Sequence, residues 1–461
     1  MKSADYASSQ YSTKRSSRAT PGWSLTTCGW CQSRRVKEHS MKLRIIYPKW
    51  SKLERQTEFH LPPHGPIVFA ASLPDDVEAE FIDENLESIY FDDPVDLVAI
   101  SMMLSIQTKR GWEIADIYRR KGVKVIFGGI ATMLHAQETL DHADSVFIGE
   151  SEGKMEEVIS DFKNGRLQKI YDHLGDRPPI EMVGTARRDL LKKELYNYRG
   201  IQMVDLVHAS RGCRFHCYPC AVAYLGGKEF RPRPINKVIE EMASIDNNRL
   251  FLVDNSLAQD TRWEMDLFRE MIPLKKKWCS HPIEDNPQVL ELAARAGAWY
   301  VYQAVFDSSD YIRDRIKRYH DYGIGVEGTI LLGLDHHTED SIKQLVDFLL
   351  EIELDIAEFT VLTPFPHTKA YDDLKQQNRI ISYDWNDYSA DKVVFHPKNM
   401  SAEKLQQLLF YAWDTFYKDE PQEVKMSKLM QKVMVKEMAD KTYRPRNRAL
   451  ATRAFGRDLA Q

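Results

Sequence analysis

A chain of 461 residues with 43% hydrophobic and 28% charged side chains is long enough for two or three domains with full cores, and its composition is that of an ordinary soluble globular protein. A net charge of −5 carries no nucleic-acid signal, and no run of about 20 apolar residues is present to span a membrane. Six cysteines without a recognisable secretory signal point to a reducing compartment, so the expectation is a cytoplasmic enzyme.

Residues 1–40 are dominated by Ser, Thr, Lys and Arg and show no apolar periodicity, so they are expected to be disordered, or to be a mis-annotated extension ahead of a start at Met41. Cys28 and Cys31 have redox-motif spacing, but neither flank supplies the strand and helix such a motif needs. Over 41–155, short apolar runs alternate with helical stretches, which predicts an α/β domain with a doubly wound parallel sheet. Strands are expected over 43–47, 67–71, 97–102, 124–127 and 145–148, and a helix over 108–121 that stops at Gly122. In such a sheet ligands bind outside the strands' carboxyl ends, where Ser101, Ser105, Gly128, Gly129, Gly149 and Glu150 should gather. Glycines there let backbone approach a ligand closely; the plainer alternative is a tight strand exit.

Residues 156–200 are expected to be a linker, with a breaker at Pro178-Pro179. Over 201–375 the alternation resumes, with strands expected at 203–207, 249–253, 299–306, 325–332 and 357–362 and helices at 235–246 and 286–296. This pattern predicts a run of βα units closing part of a barrel, with its chemistry at the strand carboxyl ends. The remainder, 376–461, is read as a helical C-terminal region with helices at 401–417 and 426–441 and a basic, solvated end.

Directly after the first of these barrel strands comes Arg211-Gly212-Cys213-Arg214-Phe215-His216-Cys217-Tyr218-Pro219-Cys220, three cysteines at the spacing C-x3-C-x2-C. Three thiolates this close leave one over in any disulfide scheme, so a soft-metal or iron–sulfur site is the better reading. A 4Fe-4S cube wants four thiolates and this run supplies three, leaving the fourth iron open to another ligand. Zinc would usually repeat a C-x2-C or Cys/His pair elsewhere; structural cysteines are the remaining alternative. His216 is either a ligand or a hydrogen-bonding loop residue.

Cys213, Cys217 and Cys220, preceded by Ser210-Arg211-Gly212, resemble the cluster loop of the radical S-adenosylmethionine (SAM) superfamily. The resemblance implies a 4Fe-4S cluster on the three thiolates with SAM chelating the open iron, in a partial TIM barrel. It also implies Tyr218 near the adenine, in a motif whose usual aromatic position holds Pro219. Asp254 and Asn255 would meet the methionyl part, Gln303 and Asp307 the ribose, and Glu327 and Gly328 a late glycine strand. Cys279 is either a hydrogen-atom donor or a small buried hydrophobe. The segments Val125-Ile126-Phe127-Gly128-Gly129 and Ala143 to Gly153 resemble the cobalamin-binding domain that often precedes such a core. No D-x-H-x-x-G signature is present, and no histidine is seen in a suitable first loop after Tyr47. The chain is thus similar to cobalamin-type radical SAM enzymes, a group that includes anaerobic magnesium-protoporphyrin monomethyl ester cyclase and C-methyltransferases. The resemblance implies methylation or cyclisation of a small-molecule substrate, with an electron donor such as flavodoxin or ferredoxin. The alternatives are a radical SAM enzyme without bound cobalamin and a non-catalytic iron–sulfur or zinc module.

Overall fold

Runs of Val, Ile, Leu and Phe become two six-stranded sheets, each parallel throughout. The first holds β1 (Met41–Tyr47), β2 (Val77–Asp83), β3 (Leu97–Ser101), β4 (Lys124–Gly128), β5 (Ser145–Ile148) and β6 (Ile170–Asp172) in the order β2-β1-β3-β4-β5-β6. The order reverses between β1 and β3, and a doubly wound sheet opens a crevice at such a switch point. The computed structural model describes residues 40–51, 55, 60–198 and 201–444. The Cys28/Cys31 pair, the expected N-terminal extension up to residue 39 and the basic stretch from 445 lie outside the described residues.

Two expectations are corrected in this half. Residues 67–71 are not a strand: 67–70 belong to the helix His64–Ala70 and Ala71 caps its end, with Pro62 and Pro63 preceding the helix and Pro66 in its first turn. A five-residue apolar run has no period of its own, so its flanking prolines decide. The second strand is instead β2, with the burial alternation of an edge. The span expected as a linker adds β6 to the sheet.

After a two-stranded hairpin of β7 (Asn197–Tyr198) and β8 (Ile201–Gln202), the second sheet starts with β9 (Asp205–Val207). The pair β10 (Ser210–Arg211) and β11 (Arg231–Pro232) forms a separate antiparallel hairpin around the cysteine loop. Then β12 (Arg249–Leu252), β13 (Lys277–Ser280), β14 (Ala298–Val305), β15 (Gly325–Leu332) and β16 (Ile356–Val361) complete the order β16-β15-β14-β13-β12-β9. Trp278 and Cys279 lie within β13.

Helix boundaries are set by local chemistry. Asn286 accepts from Val289 N at the start of Pro287–Ala296, and Gly297 ends that helix at φ 100. Such an N-cap contributes about 1 kcal/mol. Outward residues Val301, Val305, Val326, Ile330 and Phe359 pack on the surrounding helices. At the strands' amino ends the helix Gln422–Ala439 plugs the barrel: Leu429 and Val433 are buried against Trp299, Tyr300 and Ile356, and Glu437 pairs with Arg249 at 2.7 Å. The carboxyl end is the open end.

Candidate functional site

The cysteine loop leaves β9 and is held by three side chains, Asp254, Asn255 and Gln259. Asp254, just past β12, is buried and accepts from Ala209 N at 2.9 Å and from Ser210 Oγ at 2.5 Å. Burial pushes its carboxyl up to about 6 despite those donors. Gln259 takes Arg214 N at 2.9 Å, and both Gln259 and Asn255 donate to Gly212 O, at 3.4 and 3.3 Å. Gly212 sits at φ 72 where a Cβ would lie 2.1 Å from Glu229 O, so no other residue fits. Cys213 is buried, while Cys217 and Cys220 are exposed in the wall of a cavity of about 700 Å³ that Tyr218, Tyr224 and His367 also line. Burial raises the Cys213 and Cys220 thiols. Among the described residues no three His, Cys, Asp or Glu side chains are gathered to hold a single metal ion. A cubane makes a different demand, because each thiolate binds its own iron.

A second cavity of about 390 Å³ lies on the other side of the hairpin, between the carboxyl ends of the two sheets. From the first sheet it takes Ser101, Gly128, Gly129, Gly149 and Glu150, five of the six residues expected there. Gly129, at φ 91, abuts Met102 O, and Gly149, at φ 114, abuts His173 backbone, so both are demanded by close approach. Gly128 differs: a Cβ there would meet nothing within 4 Å. Ser105 is placed elsewhere, buried with its Oγ 2.8 Å from His135 Nε2. Glu150 points to the hairpin, accepting from Arg211 at 2.8 Å and pairing with Arg231; Glu152 takes Arg211 at 2.6 Å. Burial works against ionisation, yet Arg231 and Arg211 hold the Glu150 carboxyl below its usual range.

Apolar walls from Val68, Phe69, Ile126, Phe127 and Phe147 carry this cavity beneath the strand ends. Two histidines that sequence reasoning missed also face it. His64 opens the helix after β1 and His208 ends the first barrel strand; His64 Nε2 lies 2.8 Å from His208 Nδ1. Burial, then the charges of Arg188, Arg211 and Arg233, push His64 far below its usual range; His208 is lowered likewise. His64 stands at the first position of the helix that follows the first loop, not within that loop. Its only sequence sign was the Pro-Pro-His-Gly break.

The remaining candidates separate by strand face. Tyr302 and Glu327 share one face in register, and burial with the neighbouring Glu358 raises the Glu327 carboxyl well above its usual range. Gln303 points the other way and accepts from Arg315 at 2.8 Å on the helix Asp310–Asp321. At Gly328 a Cβ would strike Leu354 at 2.6 Å, a packing demand. Asp307 makes a local turn with Ser309 N at 3.0 Å. Cys279 is buried with Trp299, Tyr300 and Leu429 at the plugged end, its thiol raised by desolvation.

No family model matches the chain. It is similar to bacteriochlorophyllide d C-12(1)-methyltransferase of Chlorobaculum tepidum, 26% identical over 333 residues that cover 67% of this chain and 72% of the relative. It is also similar to the C-8(2)-methyltransferase of that organism, at 24% over 375 residues, 74% of this chain and 81% of the relative. Among solved structures, the radical SAM methyltransferase TsrM from Kitasatospora setae, with cobalamin and a 4Fe-4S cluster bound, superposes with a TM-score of 0.55. The match is 15% identical and covers 74% of this chain and 78% of TsrM. At that identity the shared feature is the fold: a doubly wound sheet, then a partial barrel.

Proposed function

We infer that this chain is a cobalamin-dependent radical SAM enzyme that transfers a methyl group to carbon in a small-molecule substrate. The observation that carries this is the position of one hairpin: the C-x3-C-x2-C loop stands at the open end of a partial barrel, directly against a cavity walled by the first sheet's carboxyl ends. The residues fit both groups. Cys213, Cys217 and Cys220 would hold the cluster, with Tyr218 beside it. Ser101 and Gly128 stand at the mouth of an apolar-walled recess, with free space where a Cβ on Gly128 would lie, as a large flat cofactor needs. Bound there, the cluster with SAM supplies a 5′-deoxyadenosyl radical and cobalamin carries a methyl group.

The chain's own residues bind, orient and exclude water. Asp254, Asn255 and Gln259 hold the loop backbone so that the thiols keep their spacing. The phenyl and aliphatic walls of the cavity keep solvent from a reactive radical. Methylation rather than cyclisation is supported by the activities of the two Chlorobaculum relatives. A flavodoxin or ferredoxin is the proposed electron source, and the cytoplasm the proposed site; no described helix is long and apolar enough to cross a membrane.

The test is anaerobic reconstitution with iron and sulfide, then dithionite and SAM, with and without methylcobalamin. The expected result is 5′-deoxyadenosine together with S-adenosylhomocysteine, the second only when cobalamin is present, and neither from Cys217→Ala. An intact cluster that SAM does not perturb and that yields neither product would overturn the reading.

A further inference from the structure

Cys279 has no part in the chemistry above, yet it does not stand alone. It lies opposite Tyr300 in the register of β13 and β14, and Tyr302 lies opposite Glu327 in that of β14 and β15. Residues two apart on a strand point to the same face, so Tyr300 and Tyr302 meet: their hydroxyls are 3.2 Å apart and their ring centroids 5.4 Å. The Tyr300 hydroxyl also reaches the Cys279 thiol, and the Tyr302 hydroxyl reaches the Glu327 carboxyl. Cys279, Tyr300 and Tyr302 thus form one unbroken line of groups that carry hydrogen on sulfur or oxygen.

The line runs down the inside of the barrel. Along the inward face, exposure rises at alternate residues toward the carboxyl ends: Phe251 is buried, Val253 half-buried and Asn255 exposed; Tyr300 is buried, Tyr302 half-buried and Phe306 exposed. Glu327 is buried and Thr329 half-buried, Ile356 buried and Glu358 half-buried. Tyr302 therefore sits on the floor of a funnel, whose rim residues Val253 and Asn255 line the cavity at the cluster hairpin. Tyr300 and Cys279 lie one layer lower, sealed by Leu429 of the plug helix. Burial, with the acidic groups around them, raises both tyrosine hydroxyls well above their ordinary range, so each keeps its hydrogen. Phenol O–H and thiol S–H bonds are weaker than an alkyl C–H bond, so passing a hydrogen atom from this line to an alkyl radical is downhill.

We propose that Tyr302 gives its hydroxyl hydrogen atom to an alkyl radical in the barrel that meets no substrate, and that Tyr300 and then Cys279 refill it. Each step breaks one O–H or S–H bond and forms one C–H or O–H bond. The sum is one alkyl radical quenched and one thiyl radical held behind the plug helix, which a one-electron reductant and a proton return to the thiol. The line spares the cavity walls from an uncaptured radical. The inference rests on the radical SAM reading of the same barrel.

The test uses full-length protein with its cluster reconstituted, incubated anaerobically with SAM and dithionite in heavy water, without substrate or added thiol. Exchangeable O–H and S–H hydrogens are then deuterium, so 5′-deoxyadenosine quenched by Tyr302 carries deuterium on its methyl carbon, read by mass spectrometry. Electron paramagnetic resonance of frozen samples reads a tyrosyl radical, whose spectrum narrows when the protein's tyrosines are ring-deuterated. The expected result is deuterated product from the wild type, and severalfold less deuterium from Tyr302→Phe, which keeps the ring and its packing. Tyr300→Phe should retain the deuterium, and Cys279→Ser should accumulate the tyrosyl signal because the line then ends on oxygen. Circular dichroism of each variant shows whether it folds. Equal deuterium in wild type and folded Tyr302→Phe, or no tyrosine-dependent signal in folded Cys279→Ser, overturns the inference and leaves the radical reading standing. An intact cluster that yields no 5′-deoxyadenosine overturns both.

Discussion

Asp254 shows how one side chain sets a loop. Its two oxygens take a backbone N–H and a hydroxyl at the exit of β9, so Asp254→Ala leaves two buried donors without an acceptor. Hydrogen bonds to a charged group are each worth roughly 1.5–3 kcal/mol, so the substitution should destabilise by about 3 kcal/mol and cut the iron bound after reconstitution severalfold. Asp254→Asn, which keeps one acceptor, should fall between. Iron content and a thermal melt check both. The adjacent glycines separate along another line. Gly129→Ala drives a methyl group into Met102 O at 2.5 Å with φ 91 and should cost about 2–3 kcal/mol. Gly128→Ala should fold normally and weaken corrinoid binding, because its Cβ would occupy free space at the cavity wall. A melting curve with a cobalamin titration separates the two. Both glycines were legible as ligand-site candidates in the sequence; which of them serves the fold and which the cavity was not, since that depends on what lies across from each Cβ.

The elements are joined by a partly buried ionic latch. Arg211 and Arg231 on the hairpin strands β10 and β11 grip Glu150 and Glu152 in the loop after β5. Removing the carboxylates leaves two partly desolvated guanidinium groups without their counter-charges, a loss that for fully buried pairs reaches about 3–5 kcal/mol and is smaller here. Glu150→Gln with Glu152→Gln should therefore lower the unfolding midpoint, by an amount that salt reduces less than it would for exposed pairs, because partly buried pairs are screened less. A denaturant melt at low and high salt reads this. Strands with a strong apolar run, such as β4, β5 and β15, were readable from residue order. The helix His64–Ala70 was not, because a short apolar run has no period to distinguish strand from helix. Nor was the face of Gln303, since strand alternation fixes opposite faces but not which one looks inward.

At the scale of the whole molecule, stability should depend on pH through Glu264. Burial pushes its carboxyl up to about 8, above the ordinary 4.5. The folded state then holds a proton that the unfolded chain has released, so the contribution is fully present below pH 4.5 and is lost as pH rises through 8. Between about pH 6 and 8 stability should fall by up to about 1.4 kcal/mol per unit, and Glu264→Gln should flatten that slope. Denaturant unfolding across this window checks the sign.

Residue order alone determined the two βα alternations, the cysteine spacing and hence a cluster-type site, because periodicity and thiol count are local properties of a chain. Only the tertiary structure decided that the loops of two separate sheets share one cavity. His64 and His208 meet across 144 residues, and Arg211 reaches Glu150 across 61. Contacts of that separation arise from how one sheet's carboxyl edge is set against the other's, and no local pattern encodes it.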